Sequence, residues 1–345
     1  MDKRAFRGTQ GRLLMSDELP QGRFVANPNV PRDTATANPI GPIDRLPSTC
    51  VLLATYNGGK WLDEQLRSIL EQSGVKVFVI VSDDRSTDST TTIVRSWSEH
   101  APLILMPGAT ERFGSAHRNF LRLIREAPLG DAEYVALADQ DDIWLPDKLA
   151  RAVHCLRALP ADAYSSDVTA LWSDGRRRLI RKSQPQRSHD YLFGSPGPGC
   201  TFVMPRAVFD RMRNWVAAEF DHMQGIWVHD WLIYAYVRAQ GLRWHIDDQP
   251  NLLYRQHGRN EIGVNDGWRA ALSRLRHVRS GAYRRDILAI AGVVGESSRV
   301  ATAVRRLTVG ERFWLIGHVR QFRRRLSECL ILAFFILLMP HDRRS

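Results

Sequence analysis

One stretch constrains this chain more than any other: Tyr134 to Lys148, which reads Y-V-A-L-A-D-Q-D-D-I-W-L-P-D-K. Tyr134 to Ala138 is a short apolar run of the kind that forms a buried strand. At its end stand Asp139, Asp141 and Asp142, three carboxylates within four residues. Pro146 then suits the first position of a helix, where its missing N–H does no harm. Carboxylates this close repel one another and lose solvation when partly buried. A divalent cation relieves that cost, and hard oxygen ligands suit Mg²⁺ or Mn²⁺. The carboxyl ends of strands are also where open α/β sheets bind ligands.

The flanking sequence supplies such a sheet. Cys50 to Thr55 is an apolar run that stops at the turn Tyr56-Asn57-Gly58-Gly59. Apolar positions at helical spacing follow from Trp61 to Leu70. A second apolar run, Val75 to Val81, stops at Ser82-Asp83-Asp84-Arg85-Ser86-Thr87-Asp88, where Ser86 or Thr87 can cap the next helix. Leu103 to Met106 predicts a third strand, Gly114 to Ile124 a helix, and Tyr134 to Asp139 the fourth strand. Alternation of this kind predicts an α/β fold, a mostly parallel central sheet with helices on both faces. There is no G-x-G-x-x-G after the first strand and no G-x-x-x-x-G-K-[ST]. A dinucleotide fingerprint and a P-loop are both excluded.

Three motifs in this order resemble family 2 glycosyltransferases of the GT-A (nucleotide-diphospho-sugar transferase) fold. They are T-Y-N-G after the first strand, S-D-D-R-S-T-D after the second and A-D-Q-D-D-I-W-L-P-D-K after the fourth. The resemblance spans about residues 49–260, and D-Q-D-D-I-W with Y-R-Q-H-G-R-N (Tyr254 to Asn260) is most similar to the bacterial rhamnosyltransferase branch. It implies inverting transfer of a sugar, L-rhamnose from dTDP-L-rhamnose, from a nucleotide-diphosphate donor. The acceptor is expected to be a saccharide or a lipid-linked molecule, in the synthesis of surface polysaccharide such as O-antigen. By the resemblance, Thr55, Tyr56 and Asn57 line the nucleotide pocket, and Asp84 or its neighbour Asp83 meets the pyrimidine. Asp139 faces the ribose, Asp141 holds the metal (Mg²⁺ or Mn²⁺) and Asp142 substitutes or assists. Gly114 and Asn119 match the family's segment near the nucleotide.

Transfer also needs a base for the acceptor hydroxyl. Asp230, in V-H-D-W-L-I-Y-A-Y at the start of an apolar helix, is the candidate. The family commonly has Glu-Asp at this point, and here the pair is His229-Asp230. A helix-capping role for Asp230 is the competing reading. The small-residue loop Gly197-Pro198-Gly199-Cys200-Thr201 could border the sugar or the acceptor. His257 could reach the metal or the diphosphate, and Arg255 and Arg259 could meet phosphate.

Charge divides the chain. The net charge is +11, and from Asp266 onward there are sixteen Arg, no Lys and six acidic residues, so nearly all the excess lies in the last quarter. A localised basic segment points to an anionic partner surface. Arg323-Arg324-Arg325 precedes eleven apolar residues, Cys329 to Met339. That is short of the roughly 20 residues needed to span a bilayer but long enough to lie at its surface. Three regions are therefore expected: a disordered extension over 1–47, the transferase domain over 48–262 and an Arg-rich helical, membrane-associating region over 263–345. Four scattered Cys without C-x-x-C, and no apolar leader, fit a cytoplasmic enzyme peripheral to the inner face of a bacterial membrane, with no nucleic acid as partner. The alternatives are a metal-dependent nucleotidyl or phosphoryl transferase, and a nucleic-acid binder acting through the basic tail.

Overall fold

The first apolar run becomes the centre of the sheet. In the computed structural model, which describes residues 45–223, 225–258 and 268–340, β1 (Ser48–Thr55) is buried at every position. Then come α1 (Leu62–Leu70), β2 (Lys76–Asp83), α2 (Thr90–Ser98), β3 (Leu103–Leu105), α3 (Ala116–Glu126) and β4 (Tyr134–Ala138). A strand buried on both faces needs apolar side chains in both directions. Val51 and Leu53 enter one core, and Cys50, Leu52 and Ala54 enter the other.

The chain continues with β5 (Ile143–Trp144), α4 (Lys148–Ala158), β6 (Ala163–Ser166), β7 (Val168–Trp172), β8 (Arg177–Ile180) and β9 (Val203–Pro205). It then runs through α5 (Arg206–Glu219), α6 (His229–Ala239), β10 (Trp244–Asp247) and β11 (Leu252–Gln256). The main sheet has the order β10-β6-β9-β4-β1-β2-β3, and a smaller one has the order β5-β11-β7-β8. β1 pairs in parallel with both β2 and β4, and β2 with β3. β9 runs antiparallel to β4 and β6. One consequence governs the site: β1 lies between β2 and β4, so the polar ends of those three strands are neighbours.

Leu62, Leu66, Val94, Leu149 and Val153 place α1, α2 and α4 on one face. Phe120, Phe209, Met212, Ile233 and Tyr234 place α3, α5 and α6 on the other.

The C-terminal helices are α7 (Trp268–Arg279), α8 (Ala282–Val293), α9 (Arg299–Arg306), α10 (Val309–Gly317) and α11 (Leu326–Leu338). Val278, Ile287, Ile290, Val304, Leu332 and Ile336 join the same core as α3, α5 and α6. The described residues from Arg45 onward pack as one compact unit, so those on either side of residues 262/263 share one core. Residues 1–44 of the expected extension, Arg259, Asn260 and the last five residues lie outside the described residues. No described helix is long and apolar enough to cross a membrane.

Two local expectations are corrected. The cap position of α2 is Ser89, because Ser86 and Thr87 are already committed to Asp83 and Asn57. Pro146 does not open α4. The short strand β5 intervenes, and α4 begins at Lys148 with Asp147 at its cap.

Candidate active site

The carboxyl ends of β1, β2 and β4 open into one cleft of about 660 Å³. Thr55, Tyr56, Asp84, Asn119, Asp139, Asp141, Gly197, Gly199 and Asp230 all line it. The three strand-end motifs and the candidate base, scattered over about half of the sequence, thus share one space.

On the β1–β2 side the polar residues divide into wall and brace. Asp83 is buried and accepts hydrogen bonds from Thr55 Oγ1 (2.8 Å), Ser86 N (2.8 Å) and Ser86 Oγ (2.6 Å). It locks two strand ends together and is absent from the cleft wall. Asn57 is also absent from the wall. Its φ of 47° suits Asn better than most residues, and its side-chain oxygen accepts from Thr87 N at 2.8 Å. Asp84 does line the cleft, where its carboxylate accepts from the backbone N–H groups of Phe113 and Gly114. This ties down the loop carrying Arg112, whose guanidinium lies 3.8 Å from the centre of the Tyr56 ring. Asn119 donates to Ser82 O (2.9 Å) and Thr55 O (3.3 Å), and its side-chain oxygen is buried without a partner.

Gln140 was not singled out by the sequence. Its side chain accepts from Tyr56 N (2.8 Å) and donates to Tyr56 O (2.9 Å), pinning the tyrosine turn to the acidic turn. The arrangement requires Gly58, because a Cβ there would lie 2.1 Å from Gln140 Oε1.

The acidic turn has an outer and an inner part. Asp141 lines the cleft, and its Oδ2 lies 2.7 Å from His257 Nε2. The His257 ring is stacked on Trp61, with centroids 3.9 Å apart and planes 7° from parallel. Arg255 braces this turn, donating to Asp141 O (2.8 Å) and Glu64 Oε2 (2.6 Å). Asp142 lies deeper, fully buried beside Lys148, and is not on the cleft wall. Burial, reinforced by the charge of Asp141, pushes its carboxyl up to about 8, while burial pulls Lys148 down to about 7.

Donor atoms of Asp139, Asp142 and Cys200 lie within 4.8 Å of one another. Burial holds the Cys200 thiol well above its usual range, which keeps it protonated and a poor ligand. The carboxylate oxygens of Asp139 and Asp141 on the cleft wall, with the His257 ring beside Asp141, make a donor set that fits a hard divalent cation.

On the far side, Gly197, Pro198 and Gly199 border the cleft. Cys200 does not. The 3-10 turn Gly199–Thr201 carries its side chain inward against Asp142, so the expectation that it faces acceptor or sugar is corrected.

Asp230 is the second residue of α6 and half-buried. Its carboxylate accepts from the neighbouring Trp231 N (2.6 Å), while the Ser195 hydroxyl donates to Gly197 O (3.1 Å). Burial raises it to about 6, partly offset by the Trp231 hydrogen bond and by the Lys182 ammonium. The His229 ring stacks on Phe120 at 4.1 Å, and burial holds it at about 3, hence neutral. A Cβ at Gly199 would lie 2.4 Å from His229 Nε2. Gly199→Ala should therefore destabilise the protein by about 1–3 kcal/mol and lower turnover by displacing the start of α6. Denaturant melts and initial rates on the same preparation check both effects.

The Glycosyl transferase family 2 profile matches residues 50–210. A dTDP-rhamnosyl transferase, RfbG of Shigella flexneri, is 36% identical over 287 residues, which cover 83% of this chain and 99% of that protein. The chain belongs to glycosyltransferase family 2. It is a transferase enzyme, and its mostly parallel α/β sheet agrees with the GT-A fold implied by its motifs. Looser structural likenesses are to Staphylococcus aureus TarS 1-349 with UDP-GlcNAc (14% identity, 80% of this chain and 82% of that one, TM-score 0.48). Another is the Pyrobaculum calidifontis mannosyltransferase PcManGT with GDP-Man and Mn²⁺ (18%, 86% and 86%, TM-score 0.45).

In this family 2 enzyme several cleft residues escaped the sequence reading. Arg112 comes from the loop before α3, Arg178 and Lys182 from β8 and its exit, and Arg274 and Arg325 from α7 and the turn before α11. No local spacing links these positions, so only the packing brings them together.

Proposed function

We propose that this enzyme transfers L-rhamnose from dTDP-L-rhamnose, with inversion, to a hydroxyl of a saccharide or lipid-linked acceptor in bacterial surface polysaccharide synthesis. The observation that carries the reading is the shared cleft: the Tyr56 turn, Asp84, Asp139, Asp141 and Asp230 line one space. The similarity to a dTDP-rhamnosyl transferase along almost its whole length supports the choice of donor.

Asp139 and Asp141, with His257 behind, would hold Mg²⁺ or Mn²⁺. Such an ion offsets charge gathering on a departing diphosphate. Tyr56, with Arg112 against its ring, offers a stacking surface for the base, and Asp84 and Asn119 offer polar partners beside it. Asp230 takes the proton of the attacking acceptor hydroxyl. Its elevated carboxyl suits that task, because a base works best with a pKa near the working pH. His229, neutral and packed on Phe120, holds the start of α6 in place. A panel of nucleotide sugars tests the donor: dTDP-L-rhamnose should bind and be slowly hydrolysed, while GDP- and UDP-sugars bind at least about tenfold more weakly. Equal binding of a UDP-sugar would reject the donor assignment.

We also propose that the enzyme works at an anionic membrane surface, through α10 and α11. Cys329, Leu332 and Ile336 face the core, while Leu326 (66% exposed), Leu330 (74%) and Phe334 (52%) face outward. Val309 and Phe313 of α10 are likewise exposed. Arg323, Arg324 and Arg325 are held by Tyr283 and by the carbonyls of Lys182, Ser195 and Arg181, so the exposed apolar face carries this reading, with the net basic charge of the last quarter favouring an anionic surface. Leu330→Glu/Phe334→Glu should abolish most sedimentation with phosphatidylglycerol vesicles; undiminished sedimentation would rule this surface out.

A further inference from the structure

Three stretches of chain meet the cleft beside Asp230: the exit of β8 with Lys182, the loop with Ser195, Gly197 and Gly199, and the first turn of α6. A side chain from the far end of the sequence joins them. Arg324, only 10% exposed, donates to Lys182 O (3.2 Å) and to Ser195 O (2.6 Å), and its Nε lies 3.5 Å from Asp190 Oδ2. Asp190 in turn accepts from the hydroxyl of Tyr234 (3.0 Å), which stands on α6 four residues after Asp230. One guanidinium therefore touches two of the stretches directly and reaches the third through one carboxylate.

The seam around Arg324 is fastened on both sides. His189 N donates to Gln321 O (3.1 Å). The Tyr283 hydroxyl of α8 donates to Phe193 O (2.8 Å) and accepts from Arg323 (2.9 Å). The β8 exit has a second hold in the buried Asp167, which accepts from Lys182 N (2.5 Å) and Ser183 N (2.9 Å). A planar fork can serve two carbonyls and a carboxylate at once, and an ammonium cannot reproduce that geometry. What the fork holds matters to the chemistry. The Lys182 ammonium acts on Asp230, and Lys182 itself is within reach of the charges of Arg324, Arg325, Glu328 and Asp230.

We propose that Arg324 is a positioning residue for sugar transfer, a clamp that holds the β8 exit, the Ser195 loop and α6 together so that Lys182 and Asp230 stay in register at the cleft. The inference rests on the reading of Asp230 as the base and adds to it a residue from the last quarter of the chain.

Arg324→Lys, which keeps the charge and loses the fork, tests the clamp in the full-length protein by two readouts. The first needs no substrate. The difference in melting temperature between Asp230→Asn and its parent, followed across pH, levels off at the folded-state pKa of Asp230. In the Arg324→Lys background that pH should lie higher, because Lys182 no longer stands close to the carboxylate. Adding Lys182→Met should then raise it by less than Lys182→Met does alone, the mark of two residues acting through one contact. The second readout is hydrolysis of dTDP-L-rhamnose with Mn²⁺, water standing in for the acceptor. Arg324→Lys should slow it by about 10–10²-fold, the scale of a small misplacement of reacting groups, with donor affinity unchanged. Tyr234→Phe takes the α6 arm off Asp190 without altering any charge. It should give the same changes to a smaller degree, and it decides the matter if Arg324→Lys does not fold. Variants that melt lower but keep the wild-type pH of levelling and the wild-type rate per folded molecule would overturn the proposal. If the wild type neither binds nor hydrolyses dTDP-L-rhamnose, the donor assignment falls, and the first readout still decides for or against the clamp.

Discussion

Asp230→Asn lowers the rate of sugar transfer by about 10²–10⁴-fold, the range a positioned general base contributes. The amide keeps an oxygen for Trp231 N, so the helix start is preserved and the loss reports proton transfer. The pH dependence carries the same signature. A carboxyl raised to about 6 is protonated below that pH and cannot accept the acceptor's proton. Transfer should therefore fall as pH drops through about 6, instead of near 4 as for an ordinary Asp. Lys182→Met removes a neighbouring positive charge and should move that limb higher.

Stability should respond with the opposite sign. Because the folded pKa exceeds the unfolded one, the folded protein holds a proton between about 4 and 6 that the unfolded chain has released. This contribution favours folding at low pH and is lost as pH rises through 6. Asp230→Asn should thus melt at a higher temperature than the wild type at pH 7.5, with the gain vanishing below pH 4. An inactive yet stabilised variant is the mark of a site kept strained for function. A variant that is active, or destabilised at both pH values, would leave Asp230 only its capping role.

The first four strands were legible because each is an apolar run ended by a turn, and alternation with helices fixes parallel pairing. The sheet order β4-β1-β2-β3 then makes neighbours of motifs that the sequence separates by some 80 residues. Less was legible where contacts are made at long range. β5 has two residues and β9 three, too few to show a period, yet they anchor the smaller sheet and the antiparallel edge of β4. Asp83 and Asn57 illustrate a second limit. A polar side chain in a turn reads the same whether it meets a ligand or braces a neighbouring loop, and here both brace. Helix α11 illustrates a third. Its side chains are so uniformly apolar that sequence cannot tell Leu332, in the core, from Leu330, on the surface. The basic residues of the cleft were invisible for the simplest reason: Arg178 and Arg325 are almost 150 residues apart.

Asp141→Ala should cost more than the ~10–100-fold that loss of an outer partner of a metal ligand produces. The Asp141 carboxylate sits on the cleft wall with His257 at 2.7 Å, and its removal leaves Asp139 as the sole acidic turn residue facing the cleft. Trp61→Ala, which only frees the His257 ring, should fall within the ~10–100-fold range. Asp142→Asn separates the inner carboxylate from the outer. Buried beside Lys148 and away from the wall, it should affect folding more than metal affinity.

Calorimetric titration of dTDP-L-rhamnose into wild type and Asp141→Ala, each with Mn²⁺ and with EDTA, tests the cleft directly. The wild type should bind only with the metal, and Asp141→Ala should bind under neither condition. Equal binding by both proteins in EDTA would contradict the assignment of the acidic turn after β4 as the anchor of the donor diphosphate.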